Sequence, residues 1–433
     1  MEILTRPSLT AFRRANLGVQ AVTTADSASH QEERRHGLSC HTVTTASDFL
    51  RLEEAWTELA TQCRSRSPFS GWDFAVEWWR HFVLGRVGRA TGRFQVVVVR
   101  DEDDAAVGIV PFYEELTKGA AGVGLRLQPF GRSYSFEPMS DEPIAMFHRE
   151  HERTAVEAVR AYLTQHARAG MWDIAVVRGP SQRPGDPAAV RLTGPGSLRV
   201  KRYTAEVMRT VDAPLAVRLP RRWDLFRDGL SKSMRDNLSY YPKRLDREVG
   251  AWAIRAARTP PEVALATEAL IALHRQRSRS AVGKPHCDHI PTATHAAFMR
   301  CWFQRLARRG AITVMVFETS SGIRAAQAFL KPVSMPGGDP CSGGARHAHV
   351  YYSGHGEDVY RFSALTLLTA AWFRLSVAEG LASVRFPPGS ASWSGRWGAR
   401  PGHGVDELSI YAMNGRTVLR AIARRCSLRM QVG

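Results

Sequence analysis

The chain contains two segments of 23 residues that align with each other without a gap. Residues 94–116 read FQVVVVRDEDDAAVGIVPFYEEL, and residues 311–333 read AITVMVFETSSGIRAAQAFLKPV. Each segment has an apolar run, a polar turn and a second apolar run, which is the pattern of an antiparallel hairpin. A repeated order of elements constrains the architecture strongly, because each copy predicts the same supersecondary unit.

A closing unit follows the hairpin in both halves. A helical pattern ends at Gly170 in the first half and at Gly380 in the second, and a short strand then runs to Gly179 or Gly389. The spacing between the two glycines is nine residues in both halves. Chance similarity between two α/β segments is the alternative explanation. The shared element order, hairpin length and closing spacing favour duplication.

We therefore predict an α/β (α+β) protein with two tandem domains, each a mixed β-sheet flanked by helices. A length of 433 residues suits two domains. Residues 1–36 lack periodicity and are predicted to be a disordered tail, and the domains are predicted at 37–212 and 213–433. The uncharged apolar stretch 364–373 has about half of the roughly 20 residues that a membrane span needs, so no span is predicted.

The net charge of +18 and the pI of 10.3 would ordinarily favour a polyanionic partner. However, the basic residues are 53 arginines and six lysines, a ratio typical of a GC-rich genome, so part of the basicity is a codon effect. The local excess lies in residues 213–258, with 11 basic and 5 acidic residues. The six cysteines form no CxxC pair, which predicts reduced thiols and a cytoplasmic protein.

Motifs with a known chemistry are mostly missing. The sequence has no GxxxxGK[ST], GxGxxG, GxSxG or HExxH pattern, which removes the main support for P-loop, dinucleotide-binding, hydrolase and metalloprotease functions. His286-Cys287-Asp288-His289 has residue types that bind zinc but lacks a second separated pair, so we predict a polar loop and no metal. Four tryptophans at helical spacing are predicted in cores: Trp78, Trp79, Trp302 and Trp372.

A candidate anion site lies where residues 360–366 lead into a helix. Free backbone N–H groups and the positive end of the helix dipole meet at such an entry. Ser363 is predicted to be the N-cap, and Arg361 adds a positive charge beside it. A pyrophosphate would suit this corner. The alternative is that Ser363 only caps a buried helix and that Arg361 is solvated.

Four groups of residues, in chain order, carry a resemblance to a known family. They are Ser67-Pro68-Phe69 with Trp72 and Trp78-Trp79-Arg80; residues 230–238 with Arg244-Leu245 and Gly250; Tyr351-Tyr352-Ser353-Gly354 with Arg361-Phe362-Ser363; and Gly389 with Arg396-Trp397-Gly398. The chain resembles the GNAT superfamily of N-acetyltransferases from about residue 38 to 410. It is most similar to the cellulose-biosynthesis-type branch, which is close to the Fem peptidoglycan aminoacyltransferases.

The resemblance implies two GNAT-like domains and transfer of an acyl group from acetyl-CoA or another acyl-CoA to an amine. The amine would attack the thioester directly, without a covalent enzyme intermediate. The C-terminal domain would hold the cofactor, with the oxyanion donor in the backbone of 351–354 and the acyl group in the gap between that strand and Val384-Arg385-Phe386. The implied cofactor contacts are Arg361, Phe362, Ser363, Ala364 and Leu365.

The catalytic candidates are His355, Asp358 and Tyr352. His355 has a suitable unperturbed pKa for a general base, although a surface-loop histidine is the alternative. The candidates for contact with the substrate or an anion are Lys232, Arg235, Asn237, Trp393 and Arg396. The helix around Lys232 could receive phosphate or tRNA, or it could be a solvated face.

The chain departs from the family pattern at three places. Ser363-Ala364-Leu365 stands where the branch has Ser-Pro-Gly, Trp393-Ser394 stands where it has an aromatic residue and lysine, and Ser390 and Ala391 replace acidic residues. Three hypotheses follow: an acyl-CoA-dependent N-acyltransferase, a Fem-like transferase that uses aminoacyl-tRNA, and a non-catalytic binding module. The expected partner is a small-molecule or cell-envelope amine, and a nucleic acid is expected only under the second hypothesis.

Overall fold

The computed structural model describes residues 33–35, 37–63, 67–119, 122–133, 135, 142, 144–169, 171–180, 197–200, 204–211, 215–281, 286–332, 347–387, 390–401 and 405–412. The helices are α1 (Ala46–Arg51), α2 (Glu53–Gln62), α3 (Trp72–Trp78, continued by the π-helical turn Trp79–Val83), α4 (Glu152–Arg168), α5 (Trp223–Asp228), α6 (Lys232–Glu248), α7 (Pro260–Arg279), α8 (Ala293–Arg308), α9 (Glu357–Tyr360), α10 (Ala364–Ala378) and α11 (Ala391–Ser394). The helices in this part of the chain are all too short or too polar to cross a bilayer.

The strands are β1 (Glu33–Arg35), β2 (Leu38–Val43), β3 (Ala90–Arg100), β4 (Ala106–Gly119), β5 (Gly122–Pro129), β6 (Met146–Phe147), β7 (Ile174–Pro180), β8 (Ser197–Val200), β9 (Thr204–Val211), β10 (Leu215–Arg218), β11 (Trp252–Ala257), β12 (Ile312–Thr319), β13 (Gly322–Leu330), β14 (His347–His355), β15 (Ser383–Phe386), β16 (Arg400–Pro401) and β17 (Val405–Ala412). They form two sheets, in the order β1-β2-β3-β4-β5-β7-β17-β9-β8, with β6 beside β4, and in the order β11-β12-β13-β14-β15-β10-β16.

The two sheets share one arrangement of strands. In each sheet, three antiparallel pairings lead to one parallel pair, which is β5 with β7 in the first and β14 with β15 in the second. A long helix, α4 or α10, connects the strands of the parallel pair, as a crossover connection requires. The prediction of two mixed sheets flanked by helices is confirmed.

Both predicted hairpins form, but their pairing differs by one residue. Val97 pairs with Val110, whereas Val314, which aligns with Val97, pairs with Ala328. The residue that aligns with Val110 is Gln327. The repeat therefore preserves the topology, while the ladder of the second hairpin is displaced by one position.

The two sheets exchange strands along the chain. Strand β17, from the end of the described chain, lies between β7 and β9 in the first sheet, and β10 lies between β15 and β16 in the second. The linker predicted at 212–214 lies outside the described residues, and a domain boundary there stays a prediction. The predicted tail also lies outside them, except for Glu33–Arg35, which forms β1.

One aromatic core joins the two halves. Helix α3 of the first half packs on α8 of the second, with the ring centroid of Phe74 4.9 Å from that of Trp302 and 5.4 Å from that of Phe298. The buried residues of this core come from both halves of the chain. The four tryptophans predicted in cores are buried, as expected: Trp78, Trp79, Trp302 and Trp372.

A network of ion pairs lies at the edge of this core. Arg305 Nε lies 2.6 Å from Glu77 Oε1, and Arg305 Nη1 lies 3.3 Å from Asp73 Oδ1. Arg309 Nε lies 2.7 Å from Asp73 Oδ2. Both carboxylates are buried, so α3 supplies the negative charges and α8 supplies the positive charges that neutralise them.

Helix α7 begins with strong local signals and crosses β14 at close range. Glu262 Oε2 accepts hydrogen bonds from the N–H groups of Arg258 and Thr259, each at 3.0 Å, and Pro260 occupies the first turn. Further along the helix, a Cβ atom placed on Gly354 would lie 2.3 Å from the backbone nitrogen of His274. The contact between helix and strand therefore requires glycine.

Candidate active site

The parallel strands β14 and β15 separate shortly after they meet. Only His347, Ala348 and His349 pair with β15, opposite residues 383–385. The continuation, residues 350–355, pairs with β13 on its other side, and no strand in the described part of the chain covers the edge that faces β15. The result is a notch between two diverging strands, which we call the strand notch.

A bulge lies inside the strand notch. Gln327 pairs with Ser353 and Phe329 pairs with Val350, so two residues of β14, Tyr351 and Tyr352, stand opposite Ala328. Their ring centroids are 4.3 Å apart. A bulge bends the strand and re-aims its side chains, which is common beside active sites.

The predicted anion corner is the entry to α10. Ser363 precedes the helix, but its φ of 52° and ψ of 42° are left-handed, and its side chain makes no cap hydrogen bond. The predicted side-chain cap is wrong, because such a cap needs an extended backbone at this position. Ser363 O accepts from Thr366 N at 2.8 Å, whereas the N–H groups of Ala364 and Leu365 have no partner among the described residues.

Charges surround this corner. Arg361 Nη2 lies 3.3 Å from Glu248 Oε2, and Arg244 Nε lies 2.7 Å from Glu248 Oε1. Both guanidinium groups lie over the ring of buried Phe362, at 4.7 Å for Arg361 and 5.1 Å for Arg244. A hydrogen bond from Arg244 lowers the pKa of Glu248, which keeps its carboxylate charged. The sequence did not identify Arg244 as a cofactor contact, although the residue stands in the family pattern.

The other predicted contacts on α6 lie away from this corner. Lys232 and Arg244 are 12 positions apart on one helix, which corresponds to about 18 Å. Lys232 is exposed at the start of the helix and Asn237 is half-buried. Arg235 Nη1 donates to the carbonyl oxygens of Asp228, at 3.0 Å, and Leu230, so its guanidinium closes the preceding turn.

The predicted contacts after β15 lie near the second-half core. The Trp393 ring packs edge-on against Phe386, with centroids 5.0 Å apart, and Arg396 is exposed. Ser394, which stands where the family has lysine, is buried. Trp393 thus lies beside the end of β15, on the side of the strand notch opposite β14.

The predicted bases differ in their surroundings. His355 is buried at the end of β14, its Nδ1 lies 3.0 Å from Gly356 O, and its ring stacks on Tyr360 at 5.5 Å. Burial lowers the pKa of His355, so the ring is neutral near pH 7 and has a nitrogen lone pair that can accept a proton. Asp358 is held by Arg324, with N–O distances of 2.8 and 2.9 Å, and this hydrogen bond lowers its pKa. Asp358 is therefore a weaker base.

A histidine cluster covers the bulge from the side of α7. His274 Nδ1 donates to Ser353 O at 2.9 Å, while its Nε2 accepts from the backbone N–H of His289 at 3.1 Å, which fixes a neutral tautomer. The His286 ring lies 4.8 Å from His274, and the His289 ring stacks on Tyr352 at 5.9 Å. The loop 286–290 was predicted only as a polar connection, and the sequence did not show that it would reach the strand notch.

A triad of ionisable residues closes the base of the strand notch. Glu142 forms an ion pair with Arg385 of β15, and its Oε2 lies 3.8 Å from His349 Nε2 of β14. The Phe69 ring covers His349, with centroids 5.5 Å apart. Burial opposes the charge of Glu142, but His349 and Arg385 outweigh it and hold its pKa at about 2. The signal in the sequence was the charged Arg385 between the apolar residues Val384 and Phe386.

Two buried histidines at this site predict a pH-dependent stability. Burial lowers the pKa of His274 and His349 from 6.5 to about 4. Between these values, the unfolded chain binds more protons than the folded chain. The contribution to the free energy of unfolding is therefore complete above pH 6.5 and falls as the pH drops to 4, by at most roughly 3 kcal/mol for each ring.

Urea denaturation between about pH 7 and pH 5 measures this effect. The substitution His349→Phe should make the dependence on pH shallower, because one of the two rings no longer takes up a proton on unfolding. A free energy of unfolding that stays constant over this range would contradict the assignment of buried, neutral rings.

Comparisons with known proteins give similarity at the level of structure. No family model matches the chain, and no curated protein matches it. The crystal structure of FemX is similar with a TM-score of 0.50 and 6% identity, over 86% of this chain and 98% of that one. A tandem GNAT protein from the clavulanic acid biosynthesis pathway gives a TM-score of 0.42 and 13% identity, over 87% and 99% of the two chains.

The crystal structure of Saccharomyces cerevisiae N-myristoyltransferase with bound myristoyl-CoA is also similar, with a TM-score of 0.40 and 10% identity over 88% of this chain and 85% of that one. At identities this low, the similarities to these structures bear on the fold alone. Together with the FemX match, the repeated strand order and the diverging parallel pair assign the architecture. The chain therefore has the fold of FemX, with two mixed sheets of one strand order.

Proposed function

We propose that the chain is an acyl-CoA-dependent N-acyltransferase that moves an acyl group from CoA to an amine. The observation that carries the proposal is the strand notch, whose open strand edge at 350–355 leads to the free N–H groups of Ala364 and Leu365. A pantetheine arm carries amide groups that suit a free strand edge, and a diphosphate suits a helix N-terminus. Along the chain, the strand edge precedes the helix entry, just as the pantetheine arm precedes the diphosphate when acyl-CoA is followed from its thioester.

The catalytic roles follow from the surroundings of each group. Backbone N–H groups at the Tyr351–Tyr352 bulge are suited to stabilise the negative oxygen that forms when an amine attacks a thioester. His355 is neutral near pH 7 and is our candidate to accept the proton of the amine. Tyr352, at the bulge, is our candidate for a hydrogen-bonding group. Asp358 then serves to hold Arg324 rather than to accept the proton.

The departures from the family pattern are compatible with binding of a cofactor. The side chain of Leu365 packs against the apolar core of the second half. This supports a corner whose amides stay open although leucine replaces glycine. The non-catalytic hypothesis requires the corner to be closed, so binding of acyl-CoA separates the two.

Calorimetric titration of acetyl-CoA and longer acyl-CoAs into the full chain tests the proposal. We expect one acyl-CoA to bind per chain, with transfer to amines detected as release of free CoA thiol. Failure of every acyl-CoA to bind at roughly millimolar concentration would remove the proposal. Binding of tRNA that depends steeply on salt, together with no binding of acyl-CoA, would instead favour the second hypothesis, a Fem-like transferase that uses aminoacyl-tRNA.

A substitution at the anion corner gives a second prediction. Arg361→Ala should weaken the binding of acetyl-CoA by about 1–3 kcal/mol, because it removes a charge-assisted hydrogen bond to a phosphate group. Glu248→Gln is the matched control, since it removes the carboxylate that pairs with Arg361 and Arg244 and should not weaken binding. The same affinity in wild type and Arg361→Ala would place the diphosphate elsewhere.

A further inference from the structure

Arg277 on α7 is a half-buried guanidinium group beside the strand notch. Its Nη1 donates to Ser353 Oγ at 3.3 Å. In the described part of the chain, no carboxylate lies within 4.0 Å of it. In contrast, Arg305, Arg324 and Arg385 each form an ion pair with an aspartate or glutamate.

The sequence next to Arg277 supplies no acid either. Residues 282–285, which lie outside the described part, read Val-Gly-Lys-Pro. The groups that act electrostatically on Arg277 or feel its charge are His274, His286, His355 and Tyr360. The pKa values of the three histidines are lowered, chiefly by burial, so these rings are neutral near pH 7 and bring no negative charge to Arg277.

An unpaired cation in this position is costly. A partly buried charge loses hydration, and without an ion-pair partner nothing offsets that loss. Burial accordingly lowers the pKa of Arg277. Other half-buried arginines of the second half donate to carboxylates, as Arg324 does, or to backbone carbonyl oxygens, as Arg275 does. Arg277 donates only to the hydroxyl of Ser353 among the described residues, so its guanidinium keeps donors for a ligand.

The position of Arg277 relates it to the strand notch. Ser353 directly follows the Tyr351–Tyr352 bulge, and the guanidinium reaches it from the side of α7 and the histidine cluster. Arg361 and Arg244, which are suited to the diphosphate of CoA, lie on the other helices, at the entry to α10. One cationic group therefore lies beside the position proposed for the acyl group and two lie at the cofactor corner.

We infer that Arg277 forms an oxyanion-binding subsite for the acceptor, which takes a carboxylate or phosphate group of the amine substrate. A planar guanidinium binds either group through two parallel hydrogen bonds. The inference rests on the proposed function for its substrate, but the subsite can be tested without acyl transfer. It narrows the acceptor to amines that also carry an anionic group.

The first test measures binding of inorganic phosphate by thermal unfolding at constant ionic strength, in chains that carry Arg361→Ala and Arg244→Ala so that neither cation of the cofactor corner contributes. Arg277→Met should weaken the affinity for phosphate at least tenfold. Ser353→Ala, which removes the hydroxyl that orients the guanidinium, should weaken it by a few-fold. Arg279→Met, which removes an exposed charge on the same helix, should have no effect. Equal affinities in Arg277→Met and Arg279→Met would overturn the inference.

The second test separates binding from a structural role. Without phosphate, Arg277→Met should be at least as stable as wild type, because it removes an unpaired buried charge. A clearly lower melting temperature would mean that the arginine holds the fold and would overturn the inference. Acetyl-CoA should bind Arg277→Met and wild type equally, and a tenfold weaker affinity would assign the oxyanion to CoA instead. Failure of wild type to bind acetyl-CoA would count against the proposed function and not against the phosphate result.

Discussion

Replacing Arg305 with methionine should lower the free energy of unfolding by about 3–5 kcal/mol, the usual cost of removing one partner from a buried ion pair. Arg305 contacts both Glu77 and Asp73, whose side chains are 4% and 6% exposed. Without Arg305, the two buried carboxylates lose most of the positive charge that neutralises them. Both carboxylates lie on α3, the helix through which the first half packs on the second.

The matched control is Arg300→Met on the same helix. Arg300 pairs with Glu268, but the two side chains are 44% and 54% exposed, so we expect a loss of less than about 1 kcal/mol. Chemical denaturation followed by tryptophan fluorescence measures both variants. Trp302 lies on the same helix as Arg300 and Arg305 and is buried in the core that joins the two halves, so unfolding changes its fluorescence. Similar small losses in the two variants would show that the network between α3 and α8 is not a main source of stability.

The second large effect is expected at Gly354. Gly354→Ala should lower the free energy of unfolding by about 3 kcal/mol, because the added methyl group would meet the backbone of α7 at His274 and Leu273. Backbone atoms of a helix cannot rotate away as a side chain can, so α7 or β14 must shift. The shift would also disturb the strand notch, and we therefore expect weaker binding of acetyl-CoA in the same variant.

Gly395→Ala is the control for this substitution. A Cβ atom at Gly395 meets no atom within 4 Å, so the variant should keep both the stability and the affinity of wild type. Thermal denaturation and calorimetry of the two variants give the comparison. If Gly354→Ala behaves like Gly395→Ala, the close approach of α7 to β14 is incorrect.

The repeated order of elements was accessible from the sequence because it is encoded locally. The two hairpins and the helices before Gly170 and Gly380 follow from apolar patterns within short windows. The displacement of the second ladder by one residue was not accessible, since register depends on packing between strands. The exchange of β10 and β17 between the sheets involves pairings across the whole chain, which no local pattern records.

The candidate site shows the same division. The corner at Arg361 and Ser363 was predicted from a capped helix entry, which is a local signal. The triad of ionisable residues was not, because Glu142 and Arg385 are 243 positions apart in the sequence. Arg277 lies in an ordinary amphipathic helix, and only its contact with Ser353 and the lack of a nearby acid in the described chain distinguish it.

The central claim is that one acyl-CoA occupies both the strand notch and the entry to α10. Hydrogen–deuterium exchange of the full chain, measured with and without saturating acetyl-CoA, tests this most directly. The account predicts slower exchange in two separate segments, residues 350–355 of β14 and residues 364–366 of α10. Binding of acetyl-CoA that protects other segments and leaves these two unchanged would contradict it.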